Sequence, residues 1–213
     1  VGKVEQRVAE EKLRRQANEP KEAKRARRQN AKALSQEGDM ARQGDDPETA
    51  EKKYLAAIRM DPKNKDAYRG LGDVYVKLGH VDEAKETYQF VLQLDKSDHD
   101  TMVKMAALLE EQGKTEEALN YYQEAIMLGD HDPVRFAKVA ELLNRIGQHA
   151  TALEAAKQAV ELESENPKYL DMMAETSILA ADKAAAQAAY DKLRLANPDN
   201  QKLPLLKEKI SLM

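Results

Sequence analysis

Acidic side chains recur along this chain at one fixed interval. Asp39, Asp73, Glu141 and Glu175 are separated by 34 residues or by twice that number. Carboxylates repeated in this way can attract a ligand that carries Lys or Arg side chains. The alternative interpretation is a solvated polar face that has no ligand. The sequence alone leaves these two interpretations close to even.

Residues with catalytic or metal-binding chemistry are sparse. The chain has no Cys, which excludes disulfides, thiol catalysis and Cys-based zinc sites. Its four histidines fall at turns or unit boundaries without metal-ligand spacing: His80, His99, His131 and His149. No Gly-rich phosphate loop, GxSxG or HExxH sequence occurs. We therefore predict a protein that is not an enzyme and has no cofactor.

The acidic residues belong to a longer pattern with the same 34-residue period. Five units without insertions cover 31–64, 65–98, 99–132, 133–166 and 167–200. The eighth position of each unit is Gly or Ala, the twentieth is always Ala, and the twenty-fourth is Tyr in every unit except the fourth, which has Ala156. Small residues let two backbones approach, and the tyrosines are expected to fill the space between units. Such units bury a continuous core only by stacking.

Each unit reads as a first helix (helix A), a short turn and a second helix (helix B). Gly44, Gly79, Gly113 and Gly147 mark the turns and are expected to adopt the left-handed conformation. Helix starts are predicted at Asp46-Pro47, Asp132-Pro133 and Asn166-Pro167. Pro62 and Pro198 are predicted to end helix B in the first and fifth units.

This pattern resembles the tetratricopeptide repeat (TPR) family over residues 31–200. The departures are local and concern mainly the fourth and eleventh positions of some units. The resemblance implies an all-α, right-handed α-solenoid, the TPR superhelix. Its concave face would be lined by the A helices and would bind a peptide or a helix.

The resemblance also implies which side chains face that groove, namely those at positions 2, 5, 9, 12 and 13 of helix A. The candidate groove residues are Asp39, Arg42, Arg69, Asp73, Val76, Lys77, Val103, Glu110, Glu141, Arg145 and Glu175. The expected groove is mixed in charge but tilted acidic, with an apolar patch near Val76, Val103 and Ala107. A basic or amphipathic protein segment would complement it.

One activity of the family is disfavoured by the same positions. Family members that hold a C-terminal carboxylate use a clamp of Lys, Asn and Arg side chains spread over three units. No three consecutive units of this chain reproduce it. An acid at the ninth position, such as Asp39 or Asp73, would repel a carboxylate.

Two charged segments flank the repeats. Residues 1–30 hold 10 basic and 5 acidic residues, whereas residues 31–213 hold 24 basic and 33 acidic ones. We predict a basic helical arm over 1–30, broken at Pro20, that leads into the first repeat. The alternative is a polybasic segment near anionic lipid or nucleic acid. The arm has no aromatic residue to stack on bases, which disfavours nucleic acid.

Residues 201–213 are predicted to form a capping helix, with Leu203, Leu206 and Ile210 on one face. The alternative is a helix that docks on another subunit. No apolar run reaches the roughly 18 residues of a membrane span. We therefore expect a cytoplasmic location, or the cytoplasmic face of a membrane if an upstream segment or the basic arm reaches one.

The sequence thus predicts a non-enzymatic adaptor. It would bind a protein segment in the concave groove and help to assemble or localise a complex. The alternative function is structural, with arrays that self-associate end to end or through the arm.

Overall fold

The computed structural model describes residues 19–213, which form helices without strands. The helices are α1 (Lys21–Gln43), α2 (Pro47–Met60), α3 (Lys65–Leu78), α4 (Val81–Leu94), α5 (His99–Glu111), α6 (Thr115–Met127), α7 (Pro133–Arg145), α8 (His149–Leu162), α9 (Pro167–Leu179), α10 (Lys183–Ala196) and α11 (Leu203–Leu212). The predicted all-α class is confirmed. The part of the predicted arm in residues 1–18 lies outside the described residues.

The predicted helix starts are confirmed in detail. Asp46 caps α2 by accepting a hydrogen bond from the Thr49 backbone N–H, and Pro47 occupies the first turn. Asp132 and Asn166 cap α7 and α9 in the same way, each followed by Pro. These side chains satisfy backbone donors that have no partner within the helix.

The prediction for the first turn is wrong in one residue. Gly79, Gly113 and Gly147 have positive φ as expected, but Gly44 has a φ of −77°. Asp45, with a φ of 62°, takes the left-handed position instead. An Asp side chain tolerates this conformation better than most residues. The fifth turn has no glycine, and Ala181 adopts a φ of 56° there.

Helices α1 to α4 belong to a compact unit that extends to residue 96. Here α2 packs on α1 and α3, and α4 packs on α3. The ring of Tyr54 is fully buried. A Cβ placed on Gly70 would lie 2.3 Å from Tyr54 Cζ, and one on Gly38 would lie 2.8 Å from Tyr54 Cε1. Both glycines therefore make room for the tyrosine; the repeat pattern predicts this for Gly38, at the eighth position of its unit, but not for Gly70, at the sixth.

Helices α5 to α11 form the second compact unit, residues 97–213. The alanines at the eighth and twentieth positions are all fully buried: Ala106, Ala118, Ala140, Ala152, Ala174 and Ala186. Ala156, where the tyrosine is missing, is fully buried as well.

The predicted capping helix is α11, which packs on α9 and α10. Leu203, Leu206 and Ile210 are buried, as expected. Leu203 and Leu206 join the apolar cluster around Leu170 and Leu193. Among residues 19–213, no helix is long and apolar enough to cross a membrane.

Candidate functional site

The first two acids of the predicted column are bound by tyrosines. The Tyr54 hydroxyl donates to Asp39 Oδ1 at 2.7 Å, and the Tyr88 hydroxyl donates to Asp73 Oδ1 at 2.8 Å. In each pair the acid is the ninth residue of its unit and the tyrosine the twenty-fourth. These acids therefore satisfy the polar ends of core tyrosines.

Arg42 joins these two pairs. Its Nε donates to the Tyr54 hydroxyl at 3.4 Å, and its guanidinium nitrogens lie 3.7 Å from Asp39 and 3.5 Å from Asp73. Burial raises the pKa of Tyr54 to about 12, and the hydrogen bond to Asp39 adds to the rise. Burial opposes the charge of Arg42, but Tyr54, Asp73 and Asp39 together raise its pKa. The cluster thus keeps Tyr54 neutral and Arg42 charged.

A second charged cluster lies on α5 and α7. Lys138 Nζ donates to Glu110 at 3.0 Å and to Glu141 at 3.4 Å. Arg145 donates to Glu141 at 3.2 Å and lies 3.7 Å from Glu110. Burial opposes the charge of Lys138, but the two carboxylates raise its pKa overall. Burial, followed by the negative charge of Glu110, raises the pKa of Tyr122.

Helices α7 and α9 enclose a pocket of about 420 Å³, called here the α7–α9 pocket. Its apolar lining comes from Val134, Ala137, Met172 and Leu179. Its charged lining includes Lys138, Glu141, Asp171 and Glu175. Ligand pockets commonly have this size and this mixture of apolar surface with a few polar groups.

The acidic wall of the α7–α9 pocket is tied to the C-terminal cap. Lys202, immediately before α11, donates to Asp171 Oδ2 at 2.7 Å and to Glu175 Oε1 at 2.9 Å. The carboxylates lower the energy of the charged amine and raise the pKa of Lys202. The other oxygen of Asp171, Oδ1, is buried without a hydrogen-bond partner among the described residues. A buried acceptor left unpaired costs free energy.

The structure brings most of the predicted groove residues into these clusters. Asp39, Arg42 and Asp73 meet around Tyr54, whereas Glu110, Glu141 and Arg145 meet around Lys138. Glu175 lies at the pocket. Lys77 pairs with Asp45, and Arg69 Nη2 lies 3.9 Å from Asp66. Val76 and Val103 are half-buried, and Ala107 is exposed.

Three residues of the site were missed from the sequence, namely Lys138, Asp171 and Lys202. Asp171 occupies a fifth position that the sequence analysis treats as groove-facing, so it could have been found. Lys138 occupies a sixth position and Lys202 lies beyond the repeats, so the repeat pattern did not point to them. Among residues 19–213, no group of His, Cys, Asp and Glu is arranged to hold a metal ion.

The fold matches solved repeat structures over most of their length. YrrB, reported as a TPR protein with an unusual peptide-binding site, superposes with a TM-score of 0.69 at 21% identity, over 82% of this chain and 90% of its own. PilF of Pseudomonas aeruginosa gives 0.70 at 22% identity, over 88% and 85%. PilW, a type IV pilus biogenesis factor, gives 0.65 at 19% identity, over 85% and 84%. A comparison with curated protein sequences finds no match.

Two family models match the chain itself. The tetratricopeptide repeat model matches residues 65–128, and the TPR repeat model matches residues 38–79. The first match begins at the start of α3 and extends over two helix pairs, whereas the second begins within α1 and ends just after α3. The chain therefore contains tetratricopeptide repeats over residues 38–128.

Proposed function

We propose that the chain is a non-enzymatic adaptor that binds a segment of another protein in the α7–α9 pocket. The observation that carries this proposal is the combination of an apolar lining with a carboxylate wall formed by Asp171 and Glu175. A ligand side chain can cover the apolar lining while an N–H group reaches the carboxylate. The ligand is a segment with an apolar residue beside Lys, Arg or a free backbone N–H.

The size of the pocket agrees with a short segment. About 420 Å³ holds one or two side chains of a bound peptide, so affinity would depend on few anchors. Leu179 and Val134 are exposed in the free chain, which makes them available to such an anchor. YrrB, with the same fold, is described as peptide-binding, and this supports the class of ligand.

A selected peptide tests the proposal directly. Peptides displayed on phage are selected on the chain of residues 1–213, and their affinities are measured by fluorescence anisotropy. Leu179→Gln removes an exposed apolar wall of the pocket, and we expect at least about a tenfold weaker affinity, as for a hot-spot residue. The matched control is Leu162→Gln on α8, because Leu162 is 48% exposed and Leu179 is 52% exposed.

The control should change the affinity by less than about twofold, as for a substitution outside the contact. Selected peptides should carry Lys or Arg next to an apolar residue, and they should weaken when Asp171→Asn is introduced. Equal losses in the two leucine variants, or no loss in either, would exclude the α7–α9 pocket as the binding site.

A second function, self-association of the array, has an observation of its own. Leu205 and Leu212 are exposed on α11 and lie seven residues apart, about 100–120° around the helix from the buried Leu206. Two exposed leucines on one side of a helix form an apolar surface that a second copy of the chain can cover. Light scattering over a range of concentrations tests this function. A monomer that is unchanged by Leu205→Gln with Leu212→Gln would refute it.

A further inference from the structure

The first half of α1 carries a stripe of positive charge, called here the basic stripe. It consists of Lys21, Lys24, Arg25, Arg28 and Lys32, with Gln29 beside them, around a shallow depression of about 360 Å³. At 100° per residue, the five cations fall within an arc of about 100° and extend about 16 Å along the helix. All five are exposed.

Glu22 and Glu37 of the same helix lie away from the stripe, and Asp39, on the same side as the stripe, lies about 10 Å beyond Lys32. Glu22 projects about 100° from Lys21, and Glu37 projects about 160° from it, by helix periodicity. Arg27 turns to another side, where its Nε lies 3.2 Å from Glu19. Asp61 lies 3.7 Å from Arg28 Nε, but the Arg28 side chain is more than half exposed, so this ion pair is weak.

This part of α1 is not held by packing within the described residues. Residues 21–30 are exposed apart from Arg27, and Ala31 is the first buried residue of the helix. Helices in proteins gain most of their stability from packing an apolar face. A projecting, polybasic segment of helix is therefore suited to an external anionic partner.

We propose that the basic stripe docks the chain on an anionic lipid surface. A flat surface meets only one narrow face of a helix, and the five cations occupy such a face. A helix inserted in a nucleic-acid groove would need cations on both flanks to reach phosphates on the two sides. The stripe also lacks an aromatic residue that could stack on bases.

The lipid proposal is independent of the α7–α9 pocket. The stripe uses residues of α1, whereas the pocket uses residues of α7 and α9. An adaptor with both features would hold its protein ligand at a membrane surface. Either feature can be removed without changing a residue of the other.

Vesicle binding tests the proposal on the whole chain. Sedimentation with phosphatidylcholine vesicles is compared with sedimentation on vesicles that contain about 30% phosphatidylserine, since anionic lipid attracts polybasic segments. We expect binding only to the anionic vesicles, and a decline as salt is raised, because salt screens exposed charges.

A stripe variant and a matched control distinguish the effect of the stripe on vesicle binding from the effect of the chain's net charge. The stripe variant carries Lys21→Gln, Lys24→Gln, Arg25→Gln, Arg28→Gln and Lys32→Gln. The control carries Lys183→Gln, Lys192→Gln, Arg194→Gln, Lys207→Gln and Lys209→Gln, all exposed in the second unit. Both variants lose five positive charges and keep good helix formers. The stripe variant should bind anionic vesicles at least about tenfold more weakly than the control.

Three results would overturn the proposal. The first is an intact chain that does not sediment with anionic vesicles or that binds both vesicle types equally. The second is an equal loss in the stripe variant and the control. The third is binding to duplex DNA, lost in the stripe variant, without vesicle binding. Each variant should remain folded, because the changed residues are exposed. Circular dichroism checks that its helical content is unchanged.

Discussion

Two regions of the chain use the same repeat position differently. In the first two repeats the ninth-position acids, Asp39 and Asp73, accept hydrogen bonds from core tyrosines. In the fourth and fifth repeats, Glu141 and Glu175 line the α7–α9 pocket and pair with lysines. An acid at the ninth position therefore has one of two roles, with Asp in the first and Glu in the second. A tyrosine fifteen residues later accompanies the first role, but Tyr190 also lies fifteen residues after Glu175, so the tyrosine alone does not decide between the two roles.

The fourth repeat shows the difference most clearly. Ala156 stands where Tyr54 and Tyr88 stand in the first two repeats. Glu141 therefore has no tyrosine fifteen residues later and pairs with Lys138 and Arg145 instead. An acid that is not bound by the core is available to line a binding surface.

The largest expected change in stability comes from removing the tyrosine itself. Tyr54→Ala should lower the free energy of unfolding by about 3–5 kcal/mol, as expected for the loss of a fully buried aromatic side chain. The matched variant is Tyr190→Ala, because Tyr190 has the same repeat position but is only partly buried. Urea titrations measure both. Equal losses would show that the two tyrosines contribute alike and would break the comparison.

Close packing of glycine against tyrosine gives the next effect. A Cβ on Gly70 would lie 2.3 Å from Tyr54 Cζ, and the buried ring has little room to move. Gly70→Ala should therefore destabilise the chain by about 1–3 kcal/mol, although alanine favours a helix. Urea titration provides the measurement.

Gly44→Ala is the control for Gly70→Ala. Gly44 has a negative φ, and its nearest contact would be the Met40 carbonyl oxygen at 3.3 Å. Gly44→Ala should change the free energy of unfolding by less than about 1 kcal/mol. If Gly70→Ala is as mild as the control, the ring of Tyr54 is not held in place as the structure indicates.

A pH dependence follows from the raised pKa of Tyr54. Burial and the hydrogen bond to Asp39 raise this pKa to about 12 in the folded chain. A tyrosine in the unfolded chain ionises near pH 10. The folded state therefore keeps its proton when the unfolded state loses it, so this contribution is complete below about pH 10 and is lost between about pH 10 and 12.

Thermal unfolding of the unchanged chain and of Tyr54→Phe, measured between about pH 8 and 11.5, isolates the contribution of Tyr54. The phenylalanine side chain has no group that ionises in this range. The melting temperature of the unchanged chain should fall more steeply above about pH 10 than that of the variant. Parallel curves would mean that Tyr54 ionises normally in the folded chain.

The repeat pattern predicted the fold because periodic small residues and caps act locally. Ala50, Ala84 and Ala118 recur at one position, and all three are fully buried. The first turn was mispredicted because Gly44 and Asp45 are both tolerant residues, and the sequence does not rank them there. Gly44 keeps a negative φ while Asp45 adopts the positive one.

The candidate site was less predictable because ion pairs join residues that are distant in sequence. Lys202 lies 27 residues after Glu175 and outside the repeat array, so periodicity gives no sign of their contact. The tyrosine–acid pairs did leave a signal. Asp39 with Tyr54 and Asp73 with Tyr88 share one spacing of 15 residues, which an analysis by repeat position can recognise.

The smallest expected changes in the free energy of unfolding come from replacing two of the ninth-position acids. Asp39→Ala leaves the hydroxyl of buried Tyr54 without its acceptor and should cost about 1 kcal/mol. Glu141→Ala breaks two ion pairs of a half-exposed carboxylate and should cost less than about 0.5 kcal/mol, because solvent screens such pairs.

Both substitutions place alanine within a helix at the same repeat position. Urea midpoints measured at low and high salt distinguish them, since the Glu141 contribution rests on ion pairs alone and should decline more with salt than that of Asp39, which also accepts the Tyr54 hydrogen bond. Equal costs with equal salt dependence would mean that the two acids have one role, and the contrast between the regions would then be lost.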